Sequence, residues 1–147
     1  MPLVNAAPGA ARISTPVPSL GGKERVLLVE DEDSLLIIGK RVLEKHGYDV
    51  LTASDGERAL ETFRTNGGTI DLLITDVIMP RLGGPDLYRR LIKEGHRVRV
   101  LFTSGYADRD IHGSGAMEPD LPLLTKPWTI TELLKRVRQV LDAPPPG

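Results

Sequence analysis

Five short apolar runs, each followed by a longer polar-apolar segment, constrain this chain more than any other feature. The runs are VLLV (26–29), VLTA (50–53), LLIT (72–75), VRVLF (98–102) and LPLL (121–124). After the first, Leu35, Ile38 and Val42 share one helical face. The second helix opens on Ser54-x-x-Glu57, read as a capping box, with Ala59, Leu60 and Phe63 inward. The third enters through Gly84-Pro85 and carries Leu87, Tyr88, Leu91 and Ile92. The last, capped by Thr129-x-x-Glu132, carries Ile130, Leu133, Leu134, Val137 and Val140. Strand-length runs that are apolar on both faces belong inside a parallel sheet covered by helices. The handedness of crossovers then favours a doubly wound α/β fold: a five-stranded parallel sheet with helices on both faces.

One segment breaks the rhythm. ADRDIHGSGAMEPDLP (107–122) should be a helix by position, yet Gly113 and Gly115 would each cost about 1 kcal/mol relative to Ala inside one. Ser114 competes for backbone hydrogen bonds and Pro119 prevents continuation. The expectation is one helical turn near Asp108–Ile111, then a mobile loop. Residues 1–23, rich in Ala, Pro, Gly and Ser, read as a flexible linker or tail, 24–142 as the folded domain and 143–147 as a disordered tail.

Composition removes whole classes of function. A net charge of −1 argues against a nucleic-acid or anionic-membrane partner held by bulk electrostatics. The absence of cysteine excludes disulfides, thiolate zinc sites and a thiol nucleophile. No run approaches the roughly 18 apolar residues of a membrane span, and no secretion signal is evident. The expected location is cytoplasmic, and the expected state a monomer or weak dimer.

The residues just after each run carry the chemistry. All strands of a parallel sheet end at one edge, and ligands bind outside those ends. The first run ends in Glu30-Asp31, the third in Asp76, the fourth in Thr103-Ser104, the fifth in Thr125-Lys126-Pro127. Singly, each has an ordinary explanation: acids before a helix serve its N–H groups and dipole, Asp76 can cap a loop, Thr103 can sit in a turn, and Lys126 can be a solvated charge. Together these explanations fail, because adjacent strands bring Asp31 and Asp76 close. Two carboxylates about 5 Å apart repel by about 3 kcal/mol at an effective dielectric of 20, so the pair calls for a cation. Hard oxygen donors without His or Cys suit Mg²⁺, which favours a phosphoryl group as a further ligand. With Lys126 and Thr103 as donors, the parts compose a phosphoryl-transfer site with a carboxylate nucleophile.

The set VLLVEDED, LLITDVIMP, VLFTSGYA and LLTKPW, in that order over about residues 25–141, resembles the receiver domain of two-component response regulators. The resemblance implies a flavodoxin-like strand order 2-1-3-4-5 and Asp76 as phosphoacceptor from the phosphohistidine of a histidine kinase or histidine phosphotransfer domain. It implies Mg²⁺ bound by Asp31, Asp76 and the Ile78 backbone carbonyl, and by Glu30 through water. Thr103 and Lys126 would hold the phosphoryl group, and the Lys126-Pro127 bond would be cis. The receiver most resembled is the C-terminal one of hybrid histidine kinases, with the Pro/Ala-rich leader as linker; a free-standing regulator is the alternative. Such a domain catalyses only its own phosphorylation and slow dephosphorylation.

The chain also departs from the family pattern. Leu123 replaces the aromatic residue usual three before the lysine, which unsettles the threonine-aromatic switch; Tyr106 is a substitute ring or merely a loop anchor. Gly83 stands where Asp is frequent, suggesting a looser turn. Ile78 and Gly105, two beyond Asp76 and Thr103, offer no side chain to orient hydrolytic water, so a long-lived phosphorylated state is expected. Two other classes fit less well. A flavin-binding flavodoxin-like module needs a Ser/Thr/Gly-rich phosphate loop where this chain has EDEDS. A haloacid-dehalogenase-type phosphatase with an Asp nucleophile needs a second Asp at position 78.

Overall fold

The computed structural model describes residues 21–66, 68–105 and 122–143. In chain order the elements are β1 (Arg25–Val29), α1 (Asp33–Lys45), β2 (Asp49–Ala53), α2 (Gly56–Asn66), β3 (Leu72–Asp76), α3 (Gly84–Lys93), β4 (Arg99–Ser104), β5 (Leu123–Thr125) and α4 (Ile130–Asp142). The strands form one sheet in the order β2-β1-β3-β4-β5, and every neighbouring pair is parallel. This is the doubly wound, flavodoxin-like sheet expected from the sequence. Tyr106 and residues 107–121, where the helical turn and mobile loop were expected, lie outside the described residues.

Alternation along the strands feeds two cores. Leu27, Val29, Leu73, Val100 and Phe102 face α2 and α3, meeting Ala59, Leu60, Phe63, Leu87 and Leu91. Val26, Leu28, Leu72, Ile74 and Leu101 face α1 and α4, meeting Val42, Leu43, Leu133, Leu134 and Val137. Every residue of β3 is buried, so its apolar side chains each contribute about 1.5–3 kcal/mol of burial, and the strand has no wet face. That is why its terminal Asp76 cannot be read as a surface acid.

Apolar spacing misjudged some helix faces. In α1 the buried positions are Gly39, Val42 and Leu43, with Leu36 packed beside them, whereas Leu35 is half-buried and Ile38 is 46% exposed. The contact centres on Gly39: a Cβ there would stand 2.8 Å from Leu28 Cδ2, so the helix approaches the sheet through a residue without a side chain. Ile92 and Ile130 are likewise exposed. The cap of α2 is Asp55 rather than Ser54; its Oδ1 accepts from the Arg58 N–H at 2.8 Å. The helix start is shifted because Gly56 lies against the Leu82 carbonyl, where no Cβ fits. The box on α4 is as expected, with Thr129 Oγ1 accepting from the Glu132 N–H at 3.1 Å and Glu132 Oε1 from the Thr129 N–H at 2.9 Å.

Candidate functional site

The carboxyl edge of the sheet is held in register beyond the strands themselves. Asp76 pairs with Thr103 and Val29 with Thr75. The Glu30 N–H donates to Ala53 O (3.2 Å), Val77 N–H to Thr103 O (2.9 Å) and Lys126 N–H to Ser104 O (2.7 Å). These bonds carry Glu30, Asp76, Thr103 and Lys126 to one place. The Lys126-Pro127 peptide bond is cis.

Glu30, Asp76 and Thr103 are buried, each at 5% exposure or less, while Asp31 is exposed. One carboxylate oxygen from each of Glu30, Asp31 and Asp76 lies within 4.8 Å of the others. Lys126 Nζ sits 2.6 Å from Asp76 Oδ1 and 2.9 Å from Glu30 Oε1. The Thr103 hydroxyl donates to the same Asp76 Oδ1 at 2.8 Å. Glu30 Oε2 accepts from the Glu32 N–H at 3.0 Å. Glu32 is also the N-cap of α1 but makes no side-chain cap bond, and Asp33 serves the first turn of the helix dipole.

Three carboxylates against one ammonium leave the cluster acidic, and the cost falls on Glu30. Burial, followed by hydrogen bonding to Asp76 and its charge, pushes the Glu30 carboxyl up to about 7, against the opposing pull of Lys126. For Lys126, burial would lower the pKa, but the bonds to Asp76 and Glu30 outweigh it and the ammonium is held above its ordinary range. The donor set is all oxygen, clustered and net negative, so it fits a hard divalent cation. The direct Glu30–Lys126 ion pair had no signal in the sequence, since the two residues are far apart in the chain and meet only through the sheet.

The other candidate residues are distributed around this centre. The Ile78 side chain is 57% exposed on the loop after β3. Gly105 follows β4, and Leu123 packs partly buried against the α2–α3 core. Trp128 packs against the opposite core. The Gly83-Gly84 turn is pinned rather than loose: the Gly84 N–H donates to Val77 O at 2.9 Å, and a Cβ on Gly84 would collide with the Asp76 carbonyl.

A doubly wound sheet with an acidic cluster, a threonine and a lysine at its carboxyl edge defines a class of phosphoacceptor domains. Residues 26–138 match the response regulator receiver domain, and this chain belongs to that family. As a receiver domain it acts as a phosphoacceptor in two-component signal transduction. It is 37% identical over 123 residues to the sensor kinase CckA of Brucella abortus, an alignment covering 84% of this chain and 13% of that kinase. The receiver protein CpdR of the same organism is 29% identical over 82% of this chain and 98% of its own length. Among solved structures, the receiver domain of the hybrid histidine kinase CckA is 40% identical with a TM-score of 0.68, covering 80% of this chain and 99% of that one. A receiver domain protein from Clostridium thermocellum is 32% identical with a TM-score of 0.72, covering 81% and 94%. No helix among the described residues is long and apolar enough to cross a membrane.

Proposed function

We propose that Asp76 is the phosphoacceptor and that Mg²⁺ is held beside it by Asp31, Asp76 and the Ile78 carbonyl, with Glu30 acting through water. The observation that carries this reading is the convergence of Lys126 Nζ and Thr103 Oγ1 on one oxygen of a buried carboxylate. Both donors hold Oδ1, and Oδ2 would be the attacking oxygen. As the oxygen–phosphorus bond forms, the phosphorus–nitrogen bond of phosphohistidine breaks and its electron pair leaves on the imidazole. Lys126 and Thr103 can then donate to the transferred phosphoryl oxygens without crossing the site. A bound Mg²⁺ would supply charge neutralisation of the phosphoryl oxygens.

The phosphodonor is a histidine kinase or histidine phosphotransfer domain, on the same polypeptide or a separate one. The likeness to the CckA receiver supports the first arrangement, and the likeness to nearly the whole of CpdR the second. Acetyl phosphate with and without Mg²⁺ tests the chemistry. One acid-stable, base-labile phosphoryl group is expected, dependent on Mg²⁺. Asp31→Asn should weaken Mg²⁺ binding and leave the fold intact, because it removes a ligand while relieving repulsion.

A further inference from the structure

The loop from β3 to α3, residues 77–83, carries the Ile78 carbonyl, so its shape decides where that ligand lies relative to Asp76. Both ends are fixed, by Val77 N–H to Thr103 O at 2.9 Å and Gly84 N–H to Val77 O at 2.9 Å. Between them stands Arg81 with φ 67°, the one non-glycine among the described residues in left-handed backbone. A Cβ disfavours that region, and such a conformation persists only where its surroundings impose it.

The surroundings here are the first turn of α2. Arg81 Nη2 lies 3.2 Å from Asp55 Oδ2, and Arg81 Nε lies 3.4 Å from Glu57 Oε1. Asp55 is a prepared partner. Its side chain is 15% exposed, its other oxygen caps α2 through the Arg58 N–H, and the Arg58 guanidinium flanks it at 3.5 Å. The next residue, Leu82, is buried, with its carbonyl against Gly56 and its N–H donating to Pro80 O at 2.7 Å. An ion pair with one exposed partner contributes little to stability, yet a disfavoured backbone angle is kept at this point. That combination argues for position.

We propose that Arg81 is a positioning residue: clamped to the start of α2, it sets the β3–α3 loop, and through it the Ile78 carbonyl, for the divalent cation beside Asp76. The proposal rests on the reading of the site as a Mg²⁺-dependent phosphoacceptor. Its test is Mg²⁺ titration of the full chain by calorimetry, with amide NMR of residues 77–82 and a denaturation curve for each variant. Glycine accepts φ 67° without strain, so Arg81→Gly separates strain from clamp. Its stability should stay level or rise while its Kd for Mg²⁺ weakens about tenfold, the lower range for losing a group that orients a ligand. Asp55→Asn keeps an acceptor for the Arg58 N–H but removes the charge, and should weaken Mg²⁺ in the same direction. The double variant should be no worse than Arg81→Gly, because both remove one contact. Arg81→Lys should restore part of the affinity, and the amides of 77–82 should shift more than those of β1. Wild-type affinity in both Arg81→Gly and Asp55→Asn would overturn the clamp alone. Failure of the unaltered chain to bind Mg²⁺ would overturn the site reading beneath it.

Discussion

At the carboxyl edge of the sheet, Lys126 is shared between Glu30 and Asp76 with Asp31 close by; at the amino edge, Arg138 is shared among Glu24, Tyr48, Asp142 and the Gly21 carbonyl. Arg25 adds a second amino-edge knot, bonding Asp49 and Thr69. The two edges use the same kinds of group to opposite ends. Around Arg138 each guanidinium nitrogen has an acceptor, and the bond from Arg138 holds Glu24 below the usual carboxylate range. Around Lys126 the paired acids Glu30 and Asp76 are buried, and that burial pushes Glu30 up to about 7. Acids outnumber the cation at both edges, but Glu24 and Asp142 stay partly in water, and a network solvated in this way makes a structural joint. An acid surplus in a buried place makes a site for a cation and a phosphoryl group.

The sharpest way to break this comparison is Asp76→Asn. Phosphorylation from acetyl phosphate should fall from one group per chain to none, with the fold retained, and equal labelling of the variant would remove Asp76 from its role. Arg138→Ala should do the reverse. Losing its charge-assisted bonds should cost about 2 kcal/mol in urea denaturation, less than a fully buried pair because Asp142 and Glu24 remain partly in water. Phosphorylation at temperatures where the variant is folded should be unchanged; a lost phosphoacceptor would show that the two edges are coupled.

Lifetime separates geometry from chemistry within the carboxyl edge. Ile78→Asn combined with Gly105→Glu adds polar side chains able to orient water, and dephosphorylation should become about tenfold faster. Unchanged decay in the double variant would mean that these positions do not set the lifetime.

The smallest effect concerns pH at the amino edge. Glu24 has its pKa lowered on folding, so the unfolded chain binds the proton first as pH falls. Its contribution is complete above the ordinary value of 4.5 and is lost as pH falls through the lower folded value. With Glu24 partly exposed, Glu24→Gln should cost under about 1 kcal/mol at neutral pH, and the gap from wild type should close below pH 4.5. A gap that widened in acid would assign the acid sensitivity elsewhere.

Much of the site was legible because its residues sit at the ends of apolar runs. Asp31, Asp76, Thr103 and Lys126 each come within two residues of the end of such a run, and a parallel sheet sends all those ends to one edge. Helix faces were legible only where side chains make the contact, as with Ala59, Leu60 and Phe63 in α2. They were misread at Gly39, where contact is made by the lack of one. Ser54 and Asp55 are both good caps on local grounds. The choice went to Asp55 because the Gly56–Leu82 packing, distant in sequence, fixes where α2 starts.

By itself, then, the sequence determined the alternation of strands and helices, the parallel sheet, and the acids, threonine and lysine at its edge, because hydrophobic period and strand ends are local properties. Only the tertiary structure decided that Lys126 bridges Glu30 and Asp76, that Arg138 gathers Glu24, Tyr48 and Asp142, and that Arg81 takes left-handed backbone against α2. Each of these joins groups brought together by crossovers, at distances of a few ångströms that no spacing along the chain encodes. Charge pairing at such range depends on burial and geometry, and both exist only once the sheet has assembled.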